Sequence, residues 1–84
     1  MIRYVYVAGP IAKGDQHLNG RAAILAAEQL RHAGFAPFVP HLCFAWHMIA
    51  PVGYDAWLAF DFAWIARCDA LVRLPGDSAG AGAI

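Results

Sequence analysis

The run "RYVYVAG", Arg3 to Gly9, is the feature that most restricts what this chain can become. Its β-branched and aromatic residues fit a buried strand, and Gly9-Pro10 breaks the apolar run at once, so the strand must open into a loop. The next stretch, "PIAKGDQHLNG", is loop chemistry rich in Gly, Asp and Asn. An Ala-rich segment from Gly20 to His32 follows, with Ala23, Ala26, Ala27, Leu30 and Ala33 at helical spacing. Asn19 reads as its N-cap and Gly34 as its stop. "FAPFVP", Phe35 to Pro40, reads as a second strand that Pro37 restricts to its first residues or to an irregular pairing. His41 to Gly53 has no clear period and reads as a long, partly helical loop. "YDAWLAFDFAWIARC" has helix-period apolar residues, and "DALVRLP" gives a third strand. Strand, helix, strand, helix, strand, with Gly-rich turns after the first and third strands, is the pattern of a doubly wound parallel α/β sheet of three strands and two main helices. Ligands of such sheets sit outside the carboxyl ends of the strands, where strand order reverses.

The 84 residues make one domain, 1–84, near the lower size limit for a core without disulfides or metals. Hydrophobic residues make up 61% of the chain and charged ones 14%. So apolar a small domain should cover part of its surface with another subunit, and a homo-oligomer is expected. A formal net charge of zero provides no basic field for a nucleic acid polymer or an anionic membrane. The apolar stretch Leu42 to Val52 is too short for the roughly 20 residues of a membrane helix. With only Cys43 and Cys68 and no secretory pattern, a cytoplasmic location fits best.

Asp61 is the most informative single residue. On a helical wheel it shares a face with Trp57, Trp64 and Ile65, where a carboxylate is costly unless it is paired or its pKa rises. It is a candidate catalytic group, the alternative being a loop cap or an ion pair with Arg67 or Arg73. Tyr6, just before the Gly9-Pro10 turn, is a second candidate, its hydroxyl within reach of a ligand or packed in the sheet. Asp77 and Ser78 can offer a carboxylate and a hydroxyl to a sugar, or serve ordinary turn formation. In "HLCFAWH", His41, Cys43 and His47 lack a fourth ligand for zinc. His41 and His47 are better read as lining a pocket or packing beside Trp46, and Cys43 and Cys68 as buried, unreactive thiols. The "GAG" near the end is a fragment of a dinucleotide fingerprint without its third Gly, and no cofactor or metal is expected.

The order "YVAGPIAKGD", an Ala-rich helix, "PFVPHL", "Y-D-x-W-L-x-x-D" and "CDALVRLPGDSAGA" resembles the nucleoside 2-deoxyribosyltransferase-like family along essentially the whole chain. The resemblance implies a flavodoxin-like, Rossmann-like fold and a small nucleoside or nucleotide as partner. The reaction it implies is attack of a Glu on the anomeric carbon, cleavage of the N-glycosidic bond and transfer of the deoxyribosyl group to another base or to water. By the same resemblance Tyr6 orients the nucleophile, and Gly9 and Pro10 shape the turn beneath the ligand. Asp61 binds sugar or positions the base, and Asp77 or Ser78 stands where the family has a further polar or acidic group; Asn19, His41, His47 and Gly80 join them as candidate substrate-binding residues. The family motif Ser-x-Gly-Ala-x-x-Glu is matched by Ser78, Gly80 and Ala81, but its nucleophilic Glu position holds Ile84. The sheet is accordingly expected to be C-terminally incomplete, with catalysis dependent on another carboxylate or lost in a binding relative.

Overall fold

The structure is a computed structural model, and it describes residues 3–11 and 14–76. Three parallel strands, β1 (Tyr4–Ala8), β2 (Ala36–Phe38) and β3 (Ala70–Arg73), form one sheet in the order β2-β1-β3. The helices are α1 (Gln16–His32), α2 (Phe44–Ile49) and α3 (Tyr54–Ile65), with a 3₁₀ turn over Pro40–Cys43 leading into α2. Strand order reverses at β1, the hallmark of the flavodoxin-like and Rossmann-like arrangement. No helix among the described residues is long and apolar enough to cross a membrane.

β1 is the centre of the sheet, and a parallel strand there must be apolar on both faces. Val5, Tyr6, Val7 and Ala8 are all buried. Side chains alternate across a strand, so Val7 and Tyr6 enter different layers. Val7 joins Ala23, Ala27 and Val39 in the core under α1, with Leu30 and Leu74 packed at its edge. Alanines on the inward stripe of α1 let the helix approach the sheet closely. Tyr6 enters the layer under α3, where its ring stacks on that of Phe38 at 5.6 Å.

α1 starts earlier than its Ala-rich pattern suggests. Asp15, not Asn19, is the N-cap: its carboxylate accepts from the backbone N–H groups of His17 and Leu18 at 2.9 and 3.1 Å. Asn19 lies one turn inside the helix and donates from Nδ2 to the Ile11 carbonyl at 3.0 Å, tying the β1–α1 loop to α1. The far end closes as the sequence indicates. Gly34 takes φ +98°, donates to the Arg31 carbonyl, and leaves Phe35 to donate to the Leu30 carbonyl, both at 3.0 Å. These two bonds form a Schellman motif, which satisfies carbonyls the helix itself cannot.

β2 is shorter than the Phe35–Pro40 run. Pro37 is tolerated because β2 pairs on one side only, with β1. The stretch after it, read from sequence as a partly helical loop, is mostly helical, comprising the 3₁₀ turn and α2. β1 and β3 are locked at both ends. Asp69 accepts from the Tyr4 N–H at 2.9 Å through its carboxylate and donates its own N–H to the Tyr4 carbonyl at 2.7 Å. At the carboxyl end the Leu74 N–H donates to the Ala8 carbonyl at 2.7 Å. There the two loops touch: a Cβ on Gly9 would lie 3.0 Å from Leu74 Cβ, and one on Gly76 would lie 2.9 Å from Pro10 Cγ.

Gly34 and Gly76 separate two costs of replacing a glycine. Gly34→Ala meets open space and carries only the penalty of positive φ, roughly 1–2 kcal/mol. Gly76→Ala adds a collision with Pro10 to a φ of +115° and should lower the urea midpoint more than Gly34→Ala.

Candidate functional site

The site is assembled from the layer that Tyr6 enters. In the sheet register Tyr6 lies opposite Phe38 on β2 and Leu71 on β3. Trp64 of α3 stacks on Phe38 with centroids 4.8 Å apart and planes 16° from parallel. Asp61 precedes Trp64 by three residues and so occupies the same side of α3. Stacking of Trp64 therefore brings the Asp61 carboxyl to Tyr6, close enough for its charge and a side-chain hydrogen bond to act on the phenol. The phenol donates and the carboxylate accepts.

Burial sets the protonation of both groups. Desolvation pushes the Asp61 carboxyl above the ordinary carboxylate range, and the Tyr6 hydrogen bond opposes this only in part. The Tyr6 phenol is pushed far above its ordinary value, first by burial, then by the charge and hydrogen bond of Asp61. Tyr6 is thus a fixed donor, whereas Asp61 is a carboxyl that can hold or release a proton.

Cys43, at the end of the 3₁₀ turn, adds a third group. Burial raises its thiol, and the Asp61 charge raises it further, so it is a neutral thiol beside a carboxylate and no thiolate nucleophile. Both cysteines were expected to be buried; both are half-exposed. The reason is their position at the ends of elements, where the helical cover of the sheet thins out. The Cys68 thiol is also raised, by burial first and then by the charge of Asp69.

His41 joins the carboxyl-end loops. It is buried, with Nε2 2.9 Å from the Pro10 carbonyl, while Nδ1 is buried with no hydrogen-bond partner among the described residues. Burial lowers its pKa and the Pro10 bond opposes that shift. The ring is therefore a neutral Nε2–H tautomer, with a bare acceptor at Nδ1. His47 goes elsewhere: its Nδ1 accepts the Trp57 indole N–H at 2.8 Å. The two histidines of "HLCFAWH" do not meet, and no group of three His, Cys, Asp or Glu among the described residues converges on a metal-sized position.

Pro10 meets His41 through its carbonyl and Gly76 through its ring, and Gly9 admits the close approach of Leu74. Asn19 braces the same loop from α1. Asp61 does not pair with Arg67, whose guanidinium donates to the Ala63 carbonyl at 3.2 Å. Among the described residues no ion pair involves Asp61; Glu28 pairs with Arg31, and with His32 when that ring is charged. Asp77, Ser78, Gly80 and Ile84 lie outside the described residues. Cys43 within reach of the Asp61 charge was missed from sequence, because 18 positions and the whole of α2 separate them. The Tyr6–Phe38–Trp64 stack was missed as well; only the alternation of Val5, Tyr6 and Val7 hinted that Tyr6 faces away from α1.

The family described as a domain of unknown function (DUF4406) matches residues 3–84. The chain belongs to that family. No curated protein and no solved structure matches it. In this DUF4406 chain the match spans every element described above, so the Tyr6–Asp61 pair and the His41–Pro10 contact both lie within the family domain.

Two outcomes follow from the titrations. Asp61 binds its proton more tightly folded than unfolded, so its contribution to stability is full at low pH. That contribution is lost as pH rises from the ordinary carboxylate range through the folded value. Asp61→Asn should therefore gain stability relative to wild type across that rise, and in Tyr6→Phe the Asp61 carboxyl should titrate higher still, as read by carbon NMR of the side chain. His41 has the opposite sign: its contribution is full above the ordinary imidazole value of about 6.5 and is lost as pH falls through the folded value. Urea midpoints of wild type should drop on acidification below that value more steeply than those of His41→Gln.

Proposed function

We propose that the chain binds a small nucleoside or nucleotide at the carboxyl ends of β1 and β3, with the Tyr6–Asp61 pair as its polar anchor. One observation carries the reading: a carboxyl held partly out of water, raised in pKa and hydrogen-bonded by a buried tyrosine of the central strand, beside the strand-order reversal. Perturbed carboxyls in such positions are concentrated at functional sites, and α/β sheets bind their ligands there. The bare Nδ1 of His41 under the Gly9-Pro10 turn supports the same reading, because a buried acceptor without a donor costs about 1–3 kcal/mol that a ligand hydroxyl or N–H would offset.

Resemblance to the nucleoside 2-deoxyribosyltransferase-like family supplies the reaction class, cleavage of the N-glycosidic bond of a 2-deoxynucleoside or its monophosphate. Departure of the base needs a group to manage its proton, and the sugar needs a carboxylate at its anomeric carbon. Asp61 is the carboxyl available for either task among the site residues described. Position 84 is isoleucine, which has no nucleophilic atom. That residue favours a second reading, in which the chain binds the nucleoside and does not turn it over. The unpaired thiols of Cys43 and Cys68 support a place in the reducing cytoplasm.

The test is base release, followed by chromatography, from a panel of 2′-deoxynucleosides and their 5′-monophosphates, with wild type, Asp61→Asn and Ile84→Glu side by side. Release by wild type that Asp61→Asn abolishes assigns the chemistry to Asp61. Silence from wild type with release by Ile84→Glu establishes the binding-only reading. Thermal unfolding with the same panel tests the site itself: ligand at 100 times its Kd adds about 2.7 kcal/mol, so an unchanged Tm throughout would overturn both readings.

A further inference from the structure

α2 is a helix without a buried residue. It and the chain flanking it expose Leu42, Phe44, Trp46, Met48, Ile49, Val52 and Tyr54, with Met48 at 69% and Ile49 at 86%. The seven lie within one thirteen-residue stretch, Leu42 to Tyr54, which contains no Asp, Glu, Lys or Arg. From the inside Trp46 packs edge-on against Trp57 and Phe60 of α3, at 5.5 and 5.6 Å. His47 is pinned by the Trp57 indole. The patch is therefore held in place by α3 and open on its outer side.

From these observations we infer that the α2 face is where a second copy of this chain docks. Taking ordinary side-chain areas, the exposed parts of these seven residues amount to on the order of 600 Å² of apolar surface, as large as the largest patch of a typical monomer. A standard interface covers roughly 800 Å² per partner, about 65% of it apolar in homodimers. The α2 face meets that requirement with only a narrow polar rim to add. Absence of formal charge makes the face compatible with itself: a two-fold contact sets each patch against its own copy, and no like charges are brought together. The same absence argues against the alternatives. A charged protein partner would find nothing to pair with, and a helix lying on a membrane surface carries Lys and Arg along its polar side, which this stretch does not. The inference stands independently of the nucleoside reading.

Sedimentation velocity over about 1–100 μM decides it, with two variants beside wild type. Ile49→Glu puts a charge on the most exposed residue of the patch, and Leu25→Glu puts one on an exposed position of α1, away from it. A wild-type dimer, a monomeric Ile49→Glu with unchanged far-ultraviolet circular dichroism and a dimeric Leu25→Glu are expected. A wild type that stays monomeric throughout overturns the inference, as does a dimer that survives Ile49→Glu. Dissociation by Leu25→Glu alone would place the contact on α1 and equally overturn it. Should Ile49→Glu lose its circular dichroism signal, Met48→Lys is the second variant, with the same two readings.

Discussion

Burial of β1 on both faces is the constraint on which the rest depends. A central parallel strand has no solvent side, so its side chains from Val5 to Ala8 must be received by a layer of helix. Val7 is received by the alanines of α1. Tyr6 is received by Phe38 and, beyond it, Trp64. A valine in place of Tyr6 would satisfy the hydrophobic demand equally well. Tyrosine brings a hydroxyl into a buried layer, and that hydroxyl has to find a partner.

The partner is Asp61, and the pair balances two opposed costs. Burial favours the neutral carboxyl, while a hydrogen bond from a phenol favours the charged one. Because desolvation is the larger effect, Asp61 keeps a raised pKa although it is hydrogen-bonded. Structural carboxylates such as Asp15 and Asp69 stand in contrast: both accept backbone N–H groups at exposed positions and stitch elements together. Three aspartates with the same chemistry thus serve as helix cap, strand clamp and candidate anchor, according to how much water each retains.

Placing aromatic residues around the Tyr6–Asp61 pair has a cost. α3 is apolar on all sides, a composition suited to a helix buried all round, yet Phe62 and Trp64 remain substantially exposed. The three strands among the described residues are too narrow a sheet to cover so much apolar surface. The excess is carried outward through Trp57 and Phe60 to Trp46 and α2. The high apolar fraction of the sequence and the uncovered α2 face are two views of the same shortage of interior.

Strands, the order of elements and the stop of α1 at Gly34 were legible in the sequence because each depends on neighbours a few residues away. A β-branched run ended by Gly-Pro, an alanine stripe at helical spacing and a glycine needed at positive φ are local facts. Local patterning failed where two residues compete for one task. Asp15 displaced Asn19 as helix cap because its carboxylate reaches two N–H groups at once, and α2 was legible only as part of a partly helical loop because six residues hold too little of a helical period to place it. Asp61 stood out in sequence as a carboxylate on an aromatic stripe. Its partner did not, since pairing with Arg67 looked equally good on a helical wheel. The sequence by itself determined that a carboxylate would have to be reconciled with apolar surroundings. Only the tertiary structure decided that Tyr6 does this, because residues 55 positions apart meet only when the sheet register and the Phe38–Trp64 stack set α3 across β1.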